Sequence, residues 1–196
     1  MIADYFDHAF FINLDRRPDR RKSFEEQVKQ IPMDVERISA VDAPEKLPGY
    51  TAKGEVGCKL SHLNTVKLAQ ERKYSRVLIF EDDSYFIPEF MNKLLKAVSE
   101  IKKLSWDLFY LDYSLEKVIS TGSVLTRLKS TWRCTAYAVN SCFYRQYILQ
   151  AEREHRAIDR TMKDIQAVKF ATTEKLVVQC RDVGIRNGDS DIWSWQ

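Results

Sequence analysis

The chain has 196 residues, 44% hydrophobic, 12% aromatic and 30% charged, enough for one domain with a sizeable core, which excludes disordered and collagen-like chains. Thirty-one Lys and Arg against 28 Asp and Glu give a net charge of +3, well short of the basic face of a dedicated nucleic-acid binder. No apolar run approaches the roughly 18 residues that span a bilayer, and the first residues lack the build of a secretion signal.

The expectation is a single domain over 1–196, cytoplasmic, with no nucleic-acid partner and no transmembrane segment; peripheral membrane association and oligomeric state stay open. Cys58, Cys134, Cys142 and Cys180 show neither a C-x-x-C pair nor zinc-finger spacing. Reduced, mostly buried thiols are expected rather than a structural zinc.

AFFINL at 9–14 is a short apolar run ending in charge and then Pro18, which predicts a buried strand leading into a helix with proline in its first turn. Phe24, Val28 and Ile31 recur at helical spacing before Pro32. A second strand is predicted at 35–38, and Pro44, Pro48 and Gly49 mark a loop. Val56, Leu60, Leu63 and Val66 share one face of a helix ending near Arg72. RVLIF at 76–80 is apolar at every position after Arg76 and runs into Glu81, Asp82 and Asp83, as a central parallel strand covered on both faces does.

Pro88 opens a helix carrying Phe90, Met91, Leu94, Leu95, Val98 and Ile101, and WDLFYL at 106–111 is a strand ending at Asp112. The pattern from 113 to 133 is weak, with one short strand at 124–128. Further strands are predicted at 135–139 and 176–179, and helices at 142–154 and 158–168. Strands alternating with helices, with acids where strands end, predict an α/β fold whose crevice lies at the strands' carboxyl ends.

Side chains alternate in an extended segment, so Glu81 and Asp83 should face one site together and Asp82 the other way. A carboxylate pair without Cys or paired His suits a hard cation, Mn²⁺ or Mg²⁺, shared with a diphosphate. The plainer alternative is an acidic turn before the helix opened by Pro88. A haloacid-dehalogenase-like phosphatase fits less well, because the residues two beyond Asp82 and Asp83 are Ser84 and Tyr85.

NLDRRPDRR at 13–21, AVD at 40–42, GEVGCKLSH at 54–62 and VLIFEDD at 77–83 resemble, in order, the motifs of the family 25 glycosyltransferases. These are enzymes of lipopolysaccharide sugar transfer and collagen hydroxylysine galactosylation. The resemblance continues through WDLFYL, TAYAV at 135–139, Ile158 with Asp159, and Ser190, Asp191 and Ile192. It implies a GT-A-like nucleotide-binding fold with a central, largely parallel sheet flanked by helices. It also implies inverting transfer of galactose or glucose from a UDP-sugar to a saccharide, lipopolysaccharide or hydroxylysine acceptor. Glu81 and Asp83 would take the place of the family's metal and diphosphate motif, where the ion would neutralise charge on the departing UDP.

An inverting transfer needs a carboxylate base. Asp112 and Asp159 are the candidates, with a strand-end turn and a helix cap as their structural alternatives. Asp112 is expected on a strand beside the acidic one. Asn13 with Arg16 or Arg17 would meet the base and phosphates, since five of the seven residues from 16 to 22 are basic. Asp42 resembles an acid that holds ribose hydroxyls.

Gly54 and Gly57 would let backbone approach the donor, with Ser61 and His62 one turn further on. Asp82 is counted with these donor-binding residues. Trp193 and Trp195 would stack on a sugar or anchor the tail. The compact stretch after Tyr113 and the few residues beyond Ile192 suggest a reduced acceptor region. An inactive nucleotide-sugar-binding or scaffolding domain is the rival reading.

Overall fold

A computed structural model describes residues 2–184; the motif at Ser190, Asp191 and Ile192 and the residues Trp193 and Trp195 lie outside them. The elements follow in the order β1 (His8–Asn13), α1 (Pro18–Val28), β2 (Val35–Ser39), α2 (Lys53–Glu71), β3 (Arg76–Glu81), β4 (Ser84–Phe86), α3 (Phe90–Ile101) and β5 (Leu108–Tyr110). Then come β6 (Ser114–Thr121), β7 (Leu125–Trp132), β8 (Ala136–Asn140), α4 (Ser141–Arg153), α5 (Ile158–Asp164), β9 (Lys169–Thr172) and β10 (Val177–Gln179).

Eight strands form one sheet in the order β2-β1-β3-β8-β5-β9-β7-β6, and β10 pairs with β4 in a second, two-stranded sheet. β2, β1 and β3 are mutually parallel, β8 is reversed, β5 and β9 run with the first three, β7 is reversed and β6 returns. Six of the eight strands thus share one direction, and the expected α/β class with a largely parallel central sheet holds.

The alternation along β1 and β3 sorts their side chains into two cores. Phe10, Ile12, Val77 and Ile79 pack with Leu63 and Val66 of α2 and Phe143 and Tyr147 of α4. Ala9, Phe11, Leu78 and Phe80 pack on the other face with Phe24 of α1 and Leu94 and Ala97 of α3.

Because β8 runs against β3, pairing Phe80 with Ala136, the residues just before β8 arrive at the carboxyl end of β3. The amide of Glu81 donates to the Thr135 carbonyl at 2.8 Å. The same insertion corrects one expectation: β8 lies between β3 and β5, so Asp112 follows a strand that does not adjoin the acidic one.

Other differences are local. The weak stretch after Tyr113 is a long hairpin of β6 and β7. α5 stops at Asp164 instead of running to 168, and β9 follows. All four cysteines are free; Cys134 and Cys180 are buried, Cys58 is half-buried and Cys142 is exposed, so only part of the buried-thiol expectation is met.

Gly57 has a role in this packing. A Cβ there would stand 2.2 Å from the carbonyl oxygen of Val41, so only a bare Cα lets α2 lie against the segment after β2. Ser61 completes the clamp: its Oγ accepts from the Val41 amide at 2.8 Å and donates to the Gly57 carbonyl at 2.7 Å. Gly57 therefore serves close backbone packing and does not line the cavity described next.

Candidate functional site

A cavity of about 260 Å³ opens at the carboxyl ends of β1, β2 and β3, where an open α/β sheet places its ligands. Its wall is built from the segment after β2, one face of α2, the acidic turn after β3, the residues leading into β8 and the start of α5. Glu81, Asp82, Asp83, Arg16, Asp42, Gly54, Ser61, His62 and Asp159 all line it. Asn13, Arg17, Gly57 and Asp112 do not.

The acidic triplet divides as the alternation requires at its first two positions. Glu81 turns to α2, where its Oε1 meets His62 Nε2 at 3.1 Å and accepts from Cys58 Sγ at 3.4 Å. Burial pushes the Glu81 carboxyl up, but the hydrogen bond and charge of His62, with the Cys58 contact, outweigh it and hold the group below its ordinary value. Asp82 turns to the α1 side, accepting from Asn13 Nδ2 at 2.7 Å and from Arg20 Nη1 at 3.2 Å. Burial raises Asp82, and Arg20 and Asn13 only partly offset this.

Asp83 is different. It lies in the turn between β3 and β4, its Oδ1 is buried without a hydrogen-bond donor among the described residues, and its Oδ2 has only Gln179 Nε2 at 3.5 Å. Burial and the neighbouring charge of Glu81 push it up to about 8. A buried carboxylate oxygen without a donor, beside a second carboxylate, is costly unless a cation joins it. The pair therefore fits a hard divalent ion.

Asp159, half-buried near the start of α5, uses Oδ1 to accept its neighbour Arg160's amide at 2.7 Å. Burial raises its carboxyl, and the charges of Glu81 and Glu55 add to that. Asp112 is fully buried outside the cavity, 3.3 Å from Arg133 Nη1 and 3.4 Å from Lys175 Nζ. Burial raises it against the pull of both cations.

Arg16 reaches across the mouth to Asp42, Nε to Oδ2 at 2.6 Å. Asn13 is spent inside the fold: Nδ2 serves Asp82 and the Arg17 carbonyl, and Oδ1 accepts from Arg37 Nε at 2.9 Å. Arg17 pairs with Asp19 at 2.7 Å. These two bind their own chain where contacts to base and phosphates were expected.

Sequence reasoning missed Arg20, Cys58, Arg133 and Arg181, all of which line the cavity. Arg133 is notable for a φ of 82°, a left-handed conformation that a bulky side chain adopts only when its surroundings impose it. It bridges Asp112 and Asp182, the latter at 2.5 Å. The position of Cys58 one turn before His62 was the available signal for that residue, and the basic run at 16–22 held the signal for Arg20; nothing local marked Arg133 or Arg181.

The profile of Glycosyltransferase family 25 (LPS biosynthesis protein) matches residues 6–168. The chain belongs to glycosyltransferase family 25. Relatives of this family 25 chain include procollagen galactosyltransferase 2 of Mus musculus, 34% identical over 128 residues, with 54% of this chain and 20% of that protein covered. Inactive glycosyltransferase 25 family member 3 of Homo sapiens is 36% identical over 128 residues, covering 54% and 22%.

The match thus spans about a fifth of the length of these relatives. Among solved structures, mannose-1-phosphate geranyltransferase of Thermus thermophilus superposes with a TM-score of 0.49 at 8% identity, covering 84% of this chain and 73% of the other. No helix among the described residues of the family 25 chain is long and apolar enough to cross a membrane.

Proposed function

We propose that this family 25 domain is a metal-dependent inverting glycosyltransferase that moves galactose or glucose from a UDP-sugar to a hydroxyl of a glycan, lipopolysaccharide or hydroxylysine acceptor. The observation that carries the reading is Asp83, buried, with one oxygen unpartnered, next to Glu81 at the cavity wall. Glu81 and Asp83 would hold Mn²⁺ or Mg²⁺, which when bound supplies Lewis-acid stabilisation of charge on the diphosphate leaving group.

The chain's own residues then divide the remaining work. Arg20 lines the cavity and, through Asp82, stays aimed at the acidic turn, adding positive charge where phosphates would lie. Asp42 and Arg16 at the mouth offer an acceptor and donors for ribose hydroxyls. His62, gripped at both ring nitrogens by Tyr137 and Glu81, fixes the Glu81 carboxylate. Asp159 is the base: it is the cavity-lining candidate of the two, and its raised carboxyl suits accepting the proton of an acceptor hydroxyl.

The test is incubation with UDP-galactose or UDP-glucose and Mn²⁺ over a panel of saccharide and hydroxylysine acceptors, measuring released UDP. Acceptor-dependent release that disappears on chelation is expected. An inactive nucleotide-sugar-binding domain is the second reading, favoured by the similarity to an inactive family member; tight UDP binding with no release over the whole panel would select it.

A further inference from the structure

Cys58 and His62 are one helical turn apart on α2, so their side chains leave the same face. The end of β3 brings Glu81 against that face. Its Oε1 stands 3.4 Å from Cys58 Sγ and 3.1 Å from His62 Nε2, and all three candidate ligand atoms lie within 4.8 Å of one another. A tetrahedral zinc ion with bonds of roughly 2.0–2.3 Å separates its ligand atoms by about 3.3–3.7 Å. The two separations from Glu81 therefore stand close to the spacing of a zinc coordination face, and the third is no more than 4.8 Å.

We propose that Cys58, His62 and Glu81 bind a thiophilic divalent cation, with zinc as the ion this donor set selects. Sulfur and imidazole favour zinc over Mg²⁺ or Mn²⁺, which prefer oxygen alone. The outer contacts are those of a prepared imidazole ligand: His62 is fully buried, its Nδ1 is 2.9 Å from Tyr137 Oη, and Tyr137 Oη is 2.9 Å from Tyr147 Oη. That chain fixes the ring with Nε2 aimed at Glu81.

All three ligands line the cavity, so three protein atoms bind the ion and a fourth position faces open space, the arrangement of an accessible zinc site. The site differs from the structural zinc that cysteine spacing argued against. Its third ligand comes from a separate element, which no local spacing reveals. The inference stands apart from the transferase reading, with which it shares Glu81 and His62 but not Cys58.

The test uses Co²⁺ as a spectroscopic stand-in for zinc on the reduced full chain. One equivalent should give sulfur-to-cobalt charge-transfer absorption and tetrahedral visible bands, both abolished by adding Zn²⁺. Cys58→Ser should remove the sulfur band while the far-ultraviolet dichroism stays native, and Cys134→Ser and Cys142→Ser should keep it. His62→Gln should weaken zinc affinity by about tenfold or more. Absence of a sulfur band with the unaltered chain, or its survival in Cys58→Ser, overturns the proposal. Asp83→Asn should keep the band, so loss of UDP binding in that variant bears on the transferase reading alone.

Discussion

The side-chain amide of Asn13 donates from Nδ2 to Asp82 Oδ2 at 2.7 Å, tying the end of β1 to the turn that follows β3. Both groups are buried, and Asn13 also receives Arg37 Nε. Removing the amide leaves the buried Asp82 carboxylate and the half-buried Arg37 guanidinium each short of a partner. Asn13→Ala is expected to destabilise the fold by about 1–3 kcal/mol, read as a lower urea midpoint with an unchanged slope. Asn13→Asp should cost more at neutral pH, because it sets a second carboxylate against Asp82.

Asp83 governs a pH dependence of the metal-free protein. Its carboxyl titrates near its ordinary value of 3.8 when unfolded and is raised to about 8 in the fold. Between those values the folded chain keeps a proton that the unfolded chain has released, so raising the pH favours unfolding. The stabilisation is full below about pH 4, declines toward pH 8 and is level above. Asp83→Asn should flatten this part of the profile, measured as urea midpoints of both proteins from acid to mildly alkaline pH. Parallel profiles for the two would contradict the burial of this group.

For the base, Asp159 and Asp112 give opposite expectations. Asp159→Asn should lower kcat by about 10²–10⁴ with donor KM little changed, the size of a lost general base. Asp112→Asn keeps its shape but weakens the pairing with Arg133 and Lys175, so it should lower thermal stability and leave the acceptor-proton step in place. Equal losses of kcat in both variants would count against Asp159.

Gly57 allows a prediction from geometry alone. Gly57→Ala would place its methyl carbon 2.2 Å from the Val41 carbonyl oxygen, and neither backbone can yield without moving α2 or the segment carrying Asp42. A loss of about 1–3 kcal/mol is expected, with a weaker affinity for UDP because Val41 and Asp42 both line the cavity. Gly54→Ala serves as the contrasting substitution on the same helix.

Much of this was legible before folding, and the reasons are specific. The run at Val77–Leu78–Ile79–Phe80 is buried on both faces of the sheet, so an unbroken apolar stretch announced it. β6 escaped because its residues are almost all exposed, leaving no apolar alternation to read. β9 begins with Lys169, a buried lysine whose Nζ donates to the Met162 and Lys163 carbonyls at 2.7 and 2.8 Å; a lysine in a core strand reads as surface.

The candidate site follows the same division. Glu81, Asp83 and Asp159 could be named from strand ends and a helix start, and Asp42 from the end of β2. The false neighbour was Asp112, because strand order is settled by β8, which arrives from later in the chain. Arg133 had no local signature; its place depends on β8 running antiparallel.

That inserted strand also bears on how the molecule assembles. β1 pairs with β2 across 26 residues, Ala9 with Val35, whereas β3 meets β8 across 56, Phe80 with Ala136, and β5 meets β9 across 61, Leu108 with Lys169. Distant pairings must overcome loop-closure entropy before they are rewarded, which slows refolding. β1 meets β3 across 69, Ala9 with Leu78, so in this half of the sheet only the β1–β2 pair can zip early. The Glu81 amide has its carbonyl partner only once β8 has docked, and the acidic turn takes its working shape late, when the two halves of the chain have found each other.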